Sequence, residues 1–207
     1  YIEIPRGLYD KLIDKIQEAD ISYEINDERQ AGRPINVTFK GQLREEQKPA
    51  LAEMIKYDNG ILHAATAFGK TVLCAALIGE KKVNTLIVLE SSALLDQWKE
   101  ALREFLKIDE EFPEYKTKTG RVRVRKSLIG KLQGAHDSMT GIIDIAMGGS
   151  LRKKGEWHPL LEQYGMVIVD ECHHAASDTI ANVLKNVKAK YVYGVTATPK
   201  RADGLEK

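Results

Sequence analysis

"VIVDECHH", residues 167–174, decides how the rest of the chain is read. A branched apolar run ends in two carboxylates, a thiol and two imidazoles. Such a run reads as a buried strand, so Asp170 and Glu171 fall at a strand's carboxyl end. Ionised acids lose hydration on burial and are tolerated only beside something positive. In sheets covered on both faces, ligands sit beyond the carboxyl ends of the strands.

Working outward, "MVIVD", "GIIDIAM" (141–147), "NTLIVLE" (84–90), "KYVYGVT" (190–196) and "GILHAA" (60–65) are short apolar runs of the same kind. Helical spacing falls between several of them. It appears at Ala50, Leu51, Met54 and Ile55, and again from about Lys70. Leu94, Leu95, Trp98, Leu102 and Phe105 make one apolar face, and a further helix is expected near Thr179 to Val187. Strands alternating with helices predict an α/β fold with a mostly parallel central sheet. The Leu94–Trp98 stripe keeps helical spacing and reads as core rather than as a base-stacking platform.

The first forty residues differ. "YIEI", a helical stretch over Leu8, Leu12, Ile13, Ile16 and Ala19, then "ISYEI" and "INVTF" predict a small β-α-β-β unit over residues 1–40. This α+β appendage precedes a lobe over residues 41–207.

Composition narrows the class. The 207 residues are 43% hydrophobic and 29% charged, which suits one domain with an appendage. A net charge of +1 gives no general attraction to nucleic acid, so such binding needs a local patch. Cys74 and Cys172 form no disulfide framework and suit a reducing compartment. No apolar run reaches membrane-spanning length. "YIEIPRGLYD" lacks the pattern of a secretory signal. A cytoplasmic protein without a membrane partner is expected.

"HAATAFGKT", residues 63–71, lies between a strand and a helix and approximates a phosphate-binding loop. Successive backbone N–H groups of Thr66, Ala67, Phe68 and Gly69 would wrap phosphates, aided by the helix N-terminus. Lys70 would reach the β- and γ-phosphates, and the Thr71 hydroxyl would bind Mg²⁺. The usual first glycine is Ala64 here, which fits if its φ is negative. The plainer alternative is a helix start with a chance Gly-Lys-Thr. A triphosphate at Lys70 brings Mg²⁺, which prefers oxygen ligands. Asp170 would then face the metal, and Glu171 would activate the attacking water. The alternatives are two helix-start acids or a metal site from Cys172, His173 and His174. Three adjacent residues do not readily converge on one ion, and no second cluster completes a zinc site.

"ATAFGKT", "DECHH" and "GVTATPKRADG" occur in this order, each at a strand end. Together they resemble the first RecA-like lobe of a superfamily 2 helicase of the DEAD/DEAH type. The branch is the one shared with the excision-repair helicase and restriction-system motor subunits. The resemblance covers residues 41–207. It implies a P-loop NTPase using ATP and Mg²⁺, moving along nucleic acid, with DNA expected ahead of RNA. It also implies a second RecA-like lobe, absent from this chain, so a larger protein is expected.

Roles follow residue by residue. "LREEQKPAL" resembles the adenine-sensing motif, with Gln47 on the adenine edge and Arg44 beside the base. Lys70, Asp170 and Glu171 take the catalytic roles, and Thr71 with Asp170 the metal. His173, Thr196 and Thr198 match the groups coupling hydrolysis to strand movement. "TATP" alone would read as a hydroxyl-capped turn. "TLIVLESSALLDQWKE" and "DIAMGGSL" resemble strand-contacting segments, which nominates Ser91, Ser92, Gly149 and Ser150. Glu90 departs from the family there and would repel a phosphate if it faced the track. In "KTKTGRVRVRKS", residues 116–127, Thr119-Gly120 would turn a hairpin presenting Arg121, Arg123 and Arg125 on one face. That face would follow a nucleic-acid backbone, unless it is simply solvated and balanced by "DEEFPE". Two other functions compete: a nucleotide-binding or scaffold module without efficient hydrolysis, and a small-molecule P-loop kinase. The changed residues Ala64 and Phe68 motivate the first. The second leaves "TAT" after "DECH" unexplained.

Overall fold

The computed structural model describes residues 6–117, 119–172 and 178–197. In chain order the elements are α1 (Tyr9–Glu18), β1 (Val37–Phe39), α2 (Gln47–Lys56), β2 (Asn59–His63), α3 (Lys70–Lys81) and β3 (Thr85–Leu89). Then come α4 (Ala93–Phe105), β4 (Leu106–Ile108), β5 (Glu114–Lys116), β6 (Val122–Val124), β7 (Ile129–Gln133) and β8 (His136–Asp137). The remainder is β9 (Ile143–Met147), β10 (Arg152–Lys153), β11 (Glu156–Trp157), β12 (Met166–Asp170), α5 (Asp178–Asn186) and β13 (Tyr191–Thr196).

Seven strands form the central sheet in the order β2-β13-β12-β3-β9-β7-β8. All neighbours pair in parallel except β7 with β8. Parallel strands need covered faces, because the connections that link them lie over the sheet. The side chains obey this. Met166 and Ile168 of β12 join a core with α3 and α4, built on Leu73, Leu77, Leu95 and Leu102. Val167 and Val169 join a second core with Ile180 and Val183 of α5 and with Tyr164. Successive residues of one strand thus serve opposite faces. The expected α/β fold is present.

The N-terminal region departs from expectation. Helix α1 forms, but residues 21–25 make no strand, and Ile21, Tyr23 and Ile25 are exposed. Alternation alone does not make a strand without an edge to pair and a face to bury. "INVTF" does supply a strand, β1, but it pairs antiparallel with β4, register Thr38↔Lys107. Residues 1–5, which include "YIEI", lie outside the described residues.

Between these segments the chain runs as a strap along the amino-terminal ends of the sheet strands. Gln30 bonds the backbone at Lys188 and Lys190, just before β13. Ile35 N–H donates to Lys82 O, just before β3. The buried Asn84 side chain ties the crossing together. Its Oδ1 accepts from Arg33 N at 2.9 Å and Gly165 N at 3.0 Å. Its Nδ2 donates to Gly141 O at 3.3 Å and Gln163 O at 3.0 Å. One amide therefore satisfies four backbone groups at a place with little water. Asn84→Ala is expected to cost about 2–3 kcal/mol, because buried partners are left unpaired. Denaturant unfolding checks this. A loss under about 0.5 kcal/mol would show that the strap does not depend on this side chain.

Candidate functional site

Sheet register brings three loops to one edge. Asp170 of β12 pairs with Val195 of β13, and Val195 pairs with Leu62 of β2. Thr196 lies opposite His63, and Ala64 N–H donates to Thr196 O at 3.0 Å. Neighbouring strands are about 4.8 Å apart, so the turns after β2, β12 and β13 meet beyond the same carboxyl edge.

The first of these is the loop before α3. Ala64 is buried and does not carry a positive φ, as the sequence required. The left-handed positions are Ala67, at φ +69°, and Gly69, at φ +80°. A Cβ at Gly69 would also come within 2.6 Å of Gln47 Nε2, so no other residue fits without movement. Lys70 and Thr71 open the 12-residue helix α3, whose first-turn N–H groups have no intrahelical partner. Lys70 Nζ lies 3.3 Å from Ala64 O, folded over the loop.

Arg44 and Gln47 hold this loop from outside. Gln47 is buried, donates from Nε2 to Phe68 O at 2.7 Å, and accepts at Oε1 from Arg44 N at 2.9 Å. Each end of its amide keeps one further bonding position. Arg44 Nη2 donates to Ala67 O at 3.1 Å and also to Phe68 O. Sequence placed Arg44 beside a base; here its guanidinium clamps the loop carbonyls. Thr66 is exposed.

The acids occupy the second turn. Asp170 is 8% exposed. Its Oδ2 accepts from Trp98 Nε1 at 2.6 Å, and its Oδ1 accepts from Glu171 N at 2.9 Å. Burial raises its carboxyl above the ordinary range, and the neighbouring Glu171 charge adds to this. The Trp98 and Glu171 bonds and the Lys70 charge pull the other way. Glu171 adopts φ +48°, a left-handed backbone that is rare outside glycine and frequent at functional sites. Its Oε2 accepts from Thr196 Oγ1 at 3.3 Å and faces Ala197 N at 3.5 Å. His63 Nε2 lies 3.2 Å from Ala197 O.

Cys172 packs its sulfur over Gly194 of β13. Burial pushes its thiol up to about 11, so the free thiol stays protonated at neutral pH. His173, His174 and Thr198 lie outside the described residues. Trp98 is the residue that sequence reading missed as a site residue. It is 1% exposed, as its core assignment required. A buried indole N–H must find a partner, but only the packed structure identifies Asp170.

Chemically, the cluster offers a helix N-terminus and an ammonium to an anion, and hydroxyl and carboxylate oxygens to a hard cation. The family described as the type III restriction enzyme res subunit matches residues 40–201. The chain belongs to this family. The DNA 3'-5' translocase XPB2 of Sulfurisphaera tokodaii is 30% identical over 165 residues, which is 80% of this chain and 33% of that protein. The putative helicase 109L of invertebrate iridescent virus 3 is 32% identical over 191 residues, 90% of this chain and 54% of that protein. The chain thus spans between 33% and 54% of the length of these relatives. The UvsW helicase of bacteriophage T4 shares the fold, with a TM-score of 0.64 at 17% identity over 98% of this chain and 74% of that one. The chain is the first RecA-like lobe of a superfamily 2 helicase.

Farther along the edge of this helicase lobe, β3 and β9 pair with Leu89 opposite Met147. Their following loops therefore meet. Glu90, Ser92, Gly149 and Ser150 line one open groove of about 440 Å³. Ser91 and Ser92 are exposed at the start of α4. A Cβ at Gly149 would meet open space. Ser150 Oγ accepts from Gly134 N at 2.8 Å, which fixes its side chain.

The basic segment of the lobe forms the expected hairpin, with Tyr115 opposite Arg123 in the β5–β6 register. Arg121 and Arg123 are exposed. Arg125 is not equivalent to them. Its guanidinium lies 4.2 Å from the centre of the Tyr115 ring, and Nη1 donates to Asp137 O at 3.3 Å. No helix among the described residues is long and apolar enough to cross a membrane.

Proposed function

We propose that this lobe binds ATP with Mg²⁺ and hydrolyses it to drive movement along nucleic acid, DNA rather than RNA, with a second lobe completing the site. The carrying observation is the meeting of the Ala64–Gly69 loop, the α3 N-terminus and the Asp170–Glu171 pair at one sheet edge. The residues fit the group. Gly69, at φ +80°, holds the left-handed turn that leads into the α3 N-terminus, and the candidate metal donors, Thr71 and Asp170, are all oxygen.

Backbone N–H groups of residues 66, 67 and 69–71 hold the phosphates, whereas Phe68 N–H, expected among them, donates to Ala65 O at 3.1 Å; Lys70 swings from Ala64 O to meet the phosphates. Thr71 and Asp170 would hold Mg²⁺, which when bound would supply positive charge to offset that of the phosphates. Glu171 orients and deprotonates the attacking water. Thr196, bonded to Glu171, reports the state of that carboxylate to the turn after β13, with His173 and Thr198 as further coupling groups. Arg44 and Gln47 set the loop shape and offer their remaining bonding positions to the base.

The nucleic-acid track runs past Ser91, Ser92, Gly149 and Ser150, with Arg121 and Arg123 as outlying phosphate contacts. The name of the Sulfurisphaera relative, a DNA translocase, supports DNA. Residues 30–35 brace the lobe from the opposite edge, as the strap.

ATP hydrolysis measured with single-stranded DNA, duplex DNA, RNA or no polymer tests the reading. Stimulation by DNA above RNA is expected. Tight ATP binding with no turnover under any condition would favour the scaffold alternative. Arg121→Ala with Arg123→Ala is expected to lower the salt slope of DNA binding by about two, one unit per lost phosphate contact. An unchanged slope would leave the hairpin as a solvated surface. Arg125→Ala is expected to loosen the hairpin instead, because Arg125 packs on Tyr115.

A further inference from the structure

The indole of Trp98 is buried deep in the core beneath α4, beside Leu95 and Leu102. Packing alone does not require an indole there, since a phenyl or branched side chain would fill apolar space. The indole differs from these in having one donor, and that donor meets Asp170 Oδ2 at 2.6 Å. The other carboxylate oxygen is held by the Glu171 amide at 2.9 Å. Two donors on two oxygens fix the carboxylate plane and leave each oxygen a free lone pair. One donor is rigid because the core locks its ring. The other comes from a residue held in a left-handed backbone conformation at φ +48°.

We propose that Trp98 is a positioning residue for Asp170, setting the carboxylate orientation in which it accepts the Mg²⁺ that accompanies ATP. The inference rests on the reading of Asp170 as the metal-associated acid. Groups that orient a metal-binding side chain without touching the metal commonly change its affinity by about ten- to a hundredfold. Trp98 also ties that orientation to α4, the helix that begins at the exposed Ser91–Ser92 turn.

Two replacements remove the donor. Trp98→Phe deletes the N–H and part of the ring. The benzothienyl isostere of tryptophan, incorporated at position 98, deletes the N–H and keeps the bicyclic shape. Calorimetry with the β,γ-imido analogue of ATP measures binding across a Mg²⁺ titration and again in EDTA. In both variants the Mg²⁺ half-saturation is expected to rise about ten- to a hundredfold. Binding in EDTA is expected to stay within about twofold, because the phosphate loop is untouched. Packing damage alone would weaken both modes together, so a parallel loss in the isostere overturns the proposal. An unchanged Mg²⁺ half-saturation in the isostere overturns it as well. A wild-type protein whose analogue binding ignores Mg²⁺ overturns the nucleotide-site reading itself, and this inference with it.

Discussion

ATP turnover is expected to fall about 10²- to 10⁴-fold when Glu171 is replaced by glutamine, the usual contribution of a general base, while ATP binding survives. The substitution isolates the chemistry. Glutamine keeps the size of the side chain, and its Oε1 still accepts from Thr196 Oγ1, now at 3.3 Å from Glu171. The left-handed backbone at φ +48° strains glutamate and glutamine alike. What disappears is the carboxylate proposed to take a proton from water. Asp170→Asn is expected to behave differently. Both Asp170 oxygens accept hydrogen bonds, from Trp98 and from the Glu171 amide. An asparagine must turn its NH₂ towards one of these donors, so orientation is lost together with charge. Its expected signature is a raised Mg²⁺ requirement. A Mg²⁺ titration of ATPase rate separates the two. If Glu171→Gln moves the metal midpoint and Asp170→Asn does not, the roles are reversed. If neither change touches hydrolysis, the strand end is only a polar cap.

Lys70→Ala is expected to lower turnover at least about 10²-fold, the scale of losing one charge-stabilising group at a reacting phosphate. Folding should hardly change. The Nζ group makes a single 3.3 Å bond to Ala64 O and lies over the loop rather than within a core. The expected stability loss is under about 1 kcal/mol. Turnover near that of the wild type would remove the phosphate-loop assignment, whatever the sequence pattern suggests. Turnover lost together with the unfolding transition would mean that the lysine is structural.

Much of this site was legible because its residues are neighbours in sequence. Gly69, Lys70 and Thr71 are consecutive, and so are Asp170 and Glu171. The short β-branched runs that precede them stand out, since parallel strands are buried on both faces. Strand β7 was not legible. Its "IGKLQ" holds a glycine and a lysine, which interrupt the apolar run. Gly130 is there because a Cβ would sit 1.9 Å from Asp144 Oδ1. Asp144 is itself buried, and burial raises its carboxyl against the bonds from Tyr164, Thr140 and Gly141. A close approach to a residue on another strand leaves no local signal. Arg44 shows the same limit. Its motif was visible, but its contacts with the loop carbonyls were not.

By itself, the sequence determined the α/β class, the strands of the sheet centre and the residue types gathered at their carboxyl ends. Those features rest on period, composition and adjacency, which a chain carries whether or not it is folded. The tertiary structure alone decided the sheet order, the pairing of β1 with β4, the strap anchored by Asn84, and the Trp98–Asp170 bond. Each joins residues distant in sequence, and which buried donor meets which buried acceptor is settled only when water is excluded and every polar group must find a partner.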